Sequence, residues 1–445
     1  MIFETLPDIN SQIIRDLISE HEGYDLPRYR KQLEYYKGKH NILNRPSEGS
    51  EPNNKLVNDY PGYIVDTAQG YFIGIPVKYS HKNDAFKKDL DDVLDENNEE
   101  DHNAELAKYM GIHGKSYELL YLNGEGKIRF FRLPNEETII VYDGSMQRSI
   151  QMALRYYIIQ DANTKKDIRK VEIYHTDRVD YYTQEGENYK LDKSLPHYFG
   201  KVPVIYYENN DEGLGDFDKI VTLIDDYDKR ESDNSNELEA FRFAYLKIKN
   251  MSNTSDDDIA RAKKIKAFFV DGDGDVSFVE KNINDGFSEH HLERLDKNIH
   301  KFSKIPNLSD EAFGGNLSGV AIKFKLWPIE QLAIAKERKF KTALKRRIRL
   351  ICEIFRIKAK NYNWKDVGFT FKRNMPSNLL ELAQMIPNMA GTLSNRTIIS
   401  QMPFVEDPDE EIRQLKEEQN DPDSYSDFFK KSALKQGERH EEEKE

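Results

Sequence analysis

Residues 320–360 constrain the fold more than any other stretch. They carry the longest helical pattern in the chain, interrupted only by Pro328, where a kink is expected. Phe340, Leu344, Ile348, Ile351 and Phe355 recur at intervals of four, four, three and four and form an apolar stripe. Arg338, Lys341, Lys345 and Arg349 recur at three, four and four. Positions 338 and 340 lie about 200° apart around a helix, so the basic row sits nearly opposite the apolar one. Three readings of that row stand side by side: a solvated face on a buried helix, a basic rail facing acidic neighbours such as a copy of the Asp84–Glu105 region, or a set of phosphate contacts.

The segments before and after this helix are mixed. Asp8 is the expected N-cap of a helix in "INSQIIRDLISEH", with Ile9, Ile13 and Leu17 on one face, and "LPRYRKQLEYYKGKH" follows as a second helix with Pro27 near its start. Residues 41–55 read as a polar loop, and 57–80 as a short helix breaking at Gly74 before a strand. Asp84 to Glu105 holds ten acidic residues and two lysines, which predicts a helix pair with a solvated face. A helix from Ala104 then gives way to a β-hairpin turning at Asn123–Gly126. The alternating runs "TIIVYD", "MALRYYIIQD", "RKVEIYHTDRVDYYTQEGENYKL" and "VPVIYYEN" predict short antiparallel strands. Residues 214–249 predict one long helix with apolar ends and a polar middle, "DDYDKRESDNSNE". A helix polar all round spans between bodies or packs against copies of itself. Residues 250–282 read as a small separate unit, 288–303 and 377–404 as helical, and "VGFTFKRNMP" as strand-like. From Val405 the tail holds fifteen acidic and seven basic residues, and its end, "KQGERHEEEKE", is expected to be disordered. The expected fold class is α+β, mostly helical.

Composition and motifs narrow the chemistry. The 445 residues are 38% apolar and 33% charged, with a net charge of −13, so contact with a nucleic-acid duplex should be local or transient. The single cysteine, Cys352, excludes an internal disulfide and reads as a small buried hydrophobe. No signal peptide is expected, no apolar stretch approaches the roughly 18 residues of a membrane helix, and a reducing compartment follows by elimination. In "VDGDGDVSFVE", Asp271, Asp273 and Asp275 match the first, third and fifth positions of a calcium loop. Val276 stands where that loop needs glycine and Asn282 where it needs glutamate, so a hairpin turn is the reading. His290 and His291 point about 100° apart. Glu289, Glu293, Asp296 and His300 share a stripe about 16 Å long, too extended for one metal, opposite Leu292, Leu295, Ile299 and Phe302. The stretch "DEAFGGNLSG" lacks the lysine–serine/threonine pair of a phosphate-binding loop, and "GGNLSG" does not match the dinucleotide pattern. Neither metal nor cofactor is expected.

Five stretches in order carry a resemblance: "NDYPGYIVDTAQGYFIGIPVKY" (58–79), "HGKSYELLYLNGEGKIRFFRLPNEETIIVYD" (113–143), "HYFGKVPVIYYENNDEGLGDFDKIVTLIDDYDKRESDNSNELEAF" (197–241), "NLSGVAIKFKL" (316–326) and "TLSNRTIISQMPFVEDPDEEI" (392–412). The chain resembles the portal proteins of long-tailed, double-stranded-DNA bacteriophages, in the family typical of siphophages of Gram-positive hosts. The resemblance implies a portal-type subunit with wing, stem, clip and crown, assembled in a ring, usually of twelve copies, around a central channel. It implies a wing at 1–218, stem helices at 219–249 and 285–304, a clip at 250–284, a tunnel loop at 305–319, a return of the chain through the wing at 320–376, a crown at 377–435 and an acidic tail at 436–445. It places Asp310, Glu311, Phe313, Gly314, Gly315, Asn316 and Ser318 toward the DNA, with weak phosphate contacts from Lys323 and Lys325. Asp271, Asp273 and Asp275 fall in the clip, which docks partners. The implied partners are double-stranded DNA, a terminase packaging motor, a head-completion connector, and the major capsid and scaffold proteins, at the capsid vertex of the virion after assembly in the host cytoplasm. No membrane and no catalysis are implied. The competing reading is a metal-dependent nucleic-acid-processing enzyme built on the Asp271, Asp273 and Asp275 cluster.

Overall fold

The computed structural model describes residues 2–3, 8–47, 51–241, 246–249, 255–265, 275–278, 285–309, 319–375, 389, 391–400, 402, 405 and 408–420. Two compact units emerge, 1–374 and 375–445.

The first unit mixes helices and sheets, as an α+β chain should. Helices α1 (Ser11–Glu20) and α2 (Leu26–Tyr36) are joined by a π-helical turn at His21–Asp25. The cap of α1 is Asn10, not the expected Asp8. The Asn10 carboxamide oxygen accepts the amides of Gln12 and Ile13, leaving the helix start two residues later than the sequence pattern implied. Helix α3 (Tyr60–Ile73) is capped by Asp59 and ends at Gly74. Helices α4 (Asp84–Asp95) and α5 (Glu99–His113) follow.

A six-stranded sheet is ordered β1-β5-β6-β7-β8-β9, with β1 (Ile2–Phe3), β5 (Thr138–Asp143), β6 (Ile150–Gln160), β7 (Asp167–Tyr174), β8 (Arg178–Glu185) and β9 (Asn188–Pro196). Only β1 and β5 pair in parallel. Alternation along β5 and β6 separates two cores. Ile139, Val141, Met152 and Leu154 pack with Ile14, Leu17 and Ile18 of α1. Ile140 and Ala153 pack with Tyr117, Leu119, Leu133 and Val204 of a second sheet. That sheet has the order β10-β3-β4, from β3 (Lys115–Leu122), β4 (Ile128–Leu133) and β10 (Val204–Glu208). Strand β9 is an edge. Tyr181 pairs with Lys193 and Tyr182 with Leu191, so Asp192 is an extra residue bulging from it. Two further strand pairs join distant segments: β2 (Lys78–Ser80) with β13 (Gly368–Thr370), and β11 (Leu246–Lys249) with β12 (Asp275–Phe278).

The remaining helices of this unit are α6 (Val221–Phe241), α7 (Asp256–Ile265), α8 (Asp285–Ser303) and α9 (Gly319–Ile357). The expected helix over 214–249 is therefore shorter at both ends, because Leu246–Lys249 is spent on strand pairing. Helix α9 runs 39 residues and continues through Pro328. Its apolar stripe is fully buried at Phe340, Leu344, Ile348 and Ile351, in the main core with α3, α4 and α5. In the second unit, α10 (Asn395–Ser400) and α11 (Pro408–Asn420) are linked by Arg396, whose Nε meets Asp409 Oδ1 at 2.6 Å.

Candidate functional site

The residues implied by resemblance fall unevenly on the structure. Asp310, Glu311, Phe313, Gly314, Gly315, Asn316 and Ser318, and also Asp271 and Asp273 with the expected hairpin turn, lie outside the described residues. Asp275 opens β12, whose partner is Lys249 of β11. Lys323 and Lys325 stand on the first turns of α9, both exposed, beside exposed Phe324 and Trp327, while Leu326 and Ile329 turn inward.

Helices α6 and α8 lie against each other. Asp226 receives His291 Nε2 at 3.0 Å, and Ser288 donates to Asn234 at 2.7 Å, so α6 and α8 run antiparallel. Carboxylates of the α8 stripe are engaged by neighbouring side chains. Tyr60 donates to Asp296 at 2.8 Å, which also meets His300 Nε2 at 3.3 Å. His300 Nδ1 faces the carbonyl of Ile305 at 3.0 Å, and Lys297 reaches Glu293 at 3.5 Å. Burial and the Asp296 hydrogen bond push the Tyr60 phenol well above its usual range. Among the described residues no group of three or more acidic, histidine or cysteine side chains converges on a metal position. No described helix is long and apolar enough to cross a membrane.

The polar middle of α6 is not polar on all sides in the expected sense. Asp228 and Ser232 are fully buried. They belong to a row one helical turn apart, Asp228, Ser232 and Asn236, that accepts the backbone amides of Asn58 (2.8 Å), Leu56 (2.9 Å) and Asn54 (2.6 Å). Asp228 also holds His40 Nδ1 at 2.6 Å, and Asp225 accepts Tyr35 Oη at 2.5 Å and Asn41 Nδ2 at 3.0 Å. Arg45 pairs with Asp233 at 2.7 Å. Residues 51–58, which begin in the expected polar loop and run past its end, are thus a strap laid along α6.

Helix α9 carries two buried cations that its basic pattern hid. Arg347 is wholly enclosed. Its guanidinium reaches Glu99 at 2.9 Å and Glu118 at 2.8 Å, and the latter also accepts Tyr207 (2.7 Å) and meets His102 (2.9 Å). Tyr79 and Asn103 donate to Glu99. Burial works to raise the Glu118 carboxyl, but Arg347 and His102 outweigh it and bring it to about 2. On Glu99 burial prevails and pushes the carboxyl upward. Glu99 thus corrects the expectation of a merely solvated α4–α5 face: the start of α5 turns one carboxylate into the core. Lys336 forms a second buried pair, with Asp216 at 2.5 Å. Of the basic row, Lys341 pairs with Glu337 at 2.6 Å and Arg349 stacks 5.6 Å from the Trp364 ring, while Arg338 and Lys345 are exposed. Cys352 is buried, and desolvation lifts its thiol to about 12, which leaves no nucleophile.

A signal for the buried ions was present. Lys336, Phe340, Leu344, Arg347 and Ile351 are spaced four, four, three and four, so both cations lie on the apolar stripe itself. Asp228 and Ser232 likewise continue the stripe of Ile220 and Ile224.

A family model described as phage portal protein, SPP1 Gp6-like, matches residues 15–425. The portal protein of Bacillus phage SPP1 is 26% identical over 441 residues, covering 92% of this chain and 87% of that protein. The portal protein of Clostridium phage phiCD119 is 25% identical over 410 residues, covering 84% and 89% respectively. Among solved structures, a chain from the neck of an empty GTA particle aligns with a TM-score of 0.44 at 12% identity, over 76% of this chain and 88% of that one. A chain from a native gene transfer agent virion aligns at 0.42 with the same identity and coverage.

Proposed function

The chain belongs to the SPP1 Gp6-like phage portal protein family, and from that premise we propose that it closes into a ring, usually of twelve copies, at one capsid vertex. Genomic DNA would enter and leave through the bore of that ring. The observation that carries this reading is the family match over residues 15–425, which takes in all five ordered stretches of the sequence. It favours a structural assembly protein of the virion over the metal-dependent enzyme imagined on Asp271, Asp273 and Asp275.

In this reading 1–218 and 320–376 form the wing, 219–249 and 285–304 the stem, 250–284 the clip and 377–435 the crown, with an acidic tail beyond. The antiparallel pairing of α6 with α8 supports the stem assignment. The segment 305–319 is the tunnel loop, with Lys323 and Lys325 offering weak phosphate contacts behind it. The clip, including Asp271, Asp273 and Asp275, docks the terminase motor and later the connector. Capsid and scaffold proteins surround the ring during assembly in the host cytoplasm. A net charge of −13 suits a conduit through which a duplex must slide without sticking.

Electron microscopy of the purified protein tests the assembly: a face-on annulus with a central hole is expected, and a particle of one 52.1 kDa chain would remove the proposal. Deleting 313–317 should leave rings intact while impairing packaging or DNA retention. Collapse of the rings would mean that this segment belongs to a core interface.

A further inference from the structure

Eight of the twelve residues from Asp225 to Asn236 are Asp, Asn or Ser. These side chains compete with the backbone for hydrogen bonds and form helix poorly away from caps. The Ser232 hydroxyl illustrates this, donating back to the carbonyl of Asp228 at 2.6 Å. A helix of this composition is marginal by itself in water. Yet α6 stays helical to Phe241.

What supports it is the strap. Four residues of helix rise about 6.0 Å and two residues of extended chain roughly 6.6 Å. A row of side chains one turn apart can therefore meet every second amide of a chain laid alongside. Asp228, Ser232 and Asn236 meet Asn58, Leu56 and Asn54 in that order. The amides of Lys55 and Val57, between them, take no part. The side chains of the strap add two bonds to the helix, Asn54 Nδ2 to Glu239 at 2.8 Å and Asn58 Nδ2 to Asp228 at 3.0 Å, while Leu56 is 41% exposed.

We infer that residues 51–58 are a splint, read through alternate backbone amides, and that the helical state of α6 from Asp225 to Glu239 is conditional on it. Without the strap, Asp228 keeps His40 but loses both Asn58 donors, and the Ser232 hydroxyl keeps its bond to the Asp228 carbonyl but loses the only donor it accepts among the described residues. The outer half of the helix then frays.

A proline scan tests this, since proline removes an amide without adding charge. Hydrogen exchange read by mass spectrometry on the full-length chain should show a period of two. Leu56→Pro and Asn54→Pro should speed exchange in 229–241 about tenfold or more. Lys55→Pro and Val57→Pro should leave it within about twofold. Strands β6 and β7 report global integrity. Equal effects from the two sets, or none from the first, would overturn the inference. Should the first set lose protection in β6 and β7 as well, Ser232→Ala and Asn236→Ala are read instead on the peptide 51–58. Faster exchange there with intact strands supports the splint, and unchanged exchange removes it. The readout belongs to the single chain and does not depend on ring formation.

Discussion

Helices α6 and α9 both bury polar side chains along what begins as an apolar stripe, but they satisfy them differently. On α9, Arg347 and Lys336 are met by carboxylates from α5, β3 and the loop before α6, so charge is answered by charge inside the main core. On α6, Asp228 and Ser232 each accept a backbone amide of an irregular segment, and Asp228 is also met by His40 and the Asn58 side chain. The first arrangement is rigid and costly to break, because removing one partner strands an ion. The second is distributed over several bonds of modest strength. The difference teaches that a polar residue on a buried stripe announces a partner without saying what kind.

The comparison breaks most severely at Arg347. Arg347→Leu should destabilise the folded chain by about 3–5 kcal/mol, since Glu99 and Glu118 stay buried without their cation. Thermal and denaturant unfolding would report it. Adding Glu118→Gln to that variant should recover part of the loss, whereas a wholly additive pair of effects would show that the three side chains do not act together.

Acid provides the next test. Glu118 is depressed to about 2 in the folded chain, against 4.5 for an ordinary glutamate. Its contribution is therefore complete above pH 4.5 and lost as the pH falls through about 2, a window worth about 3 kcal/mol. Melting temperature measured across that range should fall in the wild type and fall less in Glu118→Gln. Glu99, raised first by burial and also by the Glu118 charge, contributes with the opposite sign, and less so in Glu118→Gln.

On α6 the expected effect is smaller. Ser232→Ala removes one acceptor from the strap and should cost about 1 kcal/mol, measured by chemical denaturation. At the weak end, Arg396→Ala breaks the ion pair to Asp409 in the second unit, where both side chains are mostly exposed. No measurable change in unfolding is expected there.

Much of this was legible beforehand. The β3–β4 hairpin, the alternating strands from Thr138 to Glu208 and the long helix after residue 319 all follow from periodicity, because side-chain alternation and the 3.6-residue turn are local properties. The pairing of β2 with β13 and of β11 with β12 was not, since register between distant segments is set by tertiary contacts. Asn10 displaced Asp8 as a cap for a local reason that the pattern leaves open: both are good caps, and only the path of the chain selects one. The strap escaped notice because its information lies in the helix it touches. Residues 51–58, "EPNNKLVN", read as ordinary polar chain until Asp228, Ser232 and Asn236 are set against them. The tunnel role of 305–319 and the docking role of the segment around Asp271–Asp275 rest on family likeness alone, whereas the turn itself was read from its Asp–Gly pairs.

The margin of the large sheet has a consequence for a protein made in many copies. Among the described residues strand β9 has no neighbouring strand on its outer side, where Ser11 bonds the amide and carbonyl of Tyr189, and such an edge is the feature through which sheets of separate molecules fuse. Here the bulge at Asp192 spoils the spacing, Lys190 and Lys193 repel an identical approach, and Pro196 withholds the last donor. An identical chain approaching this margin would meet mismatched spacing, like charges and a missing donor.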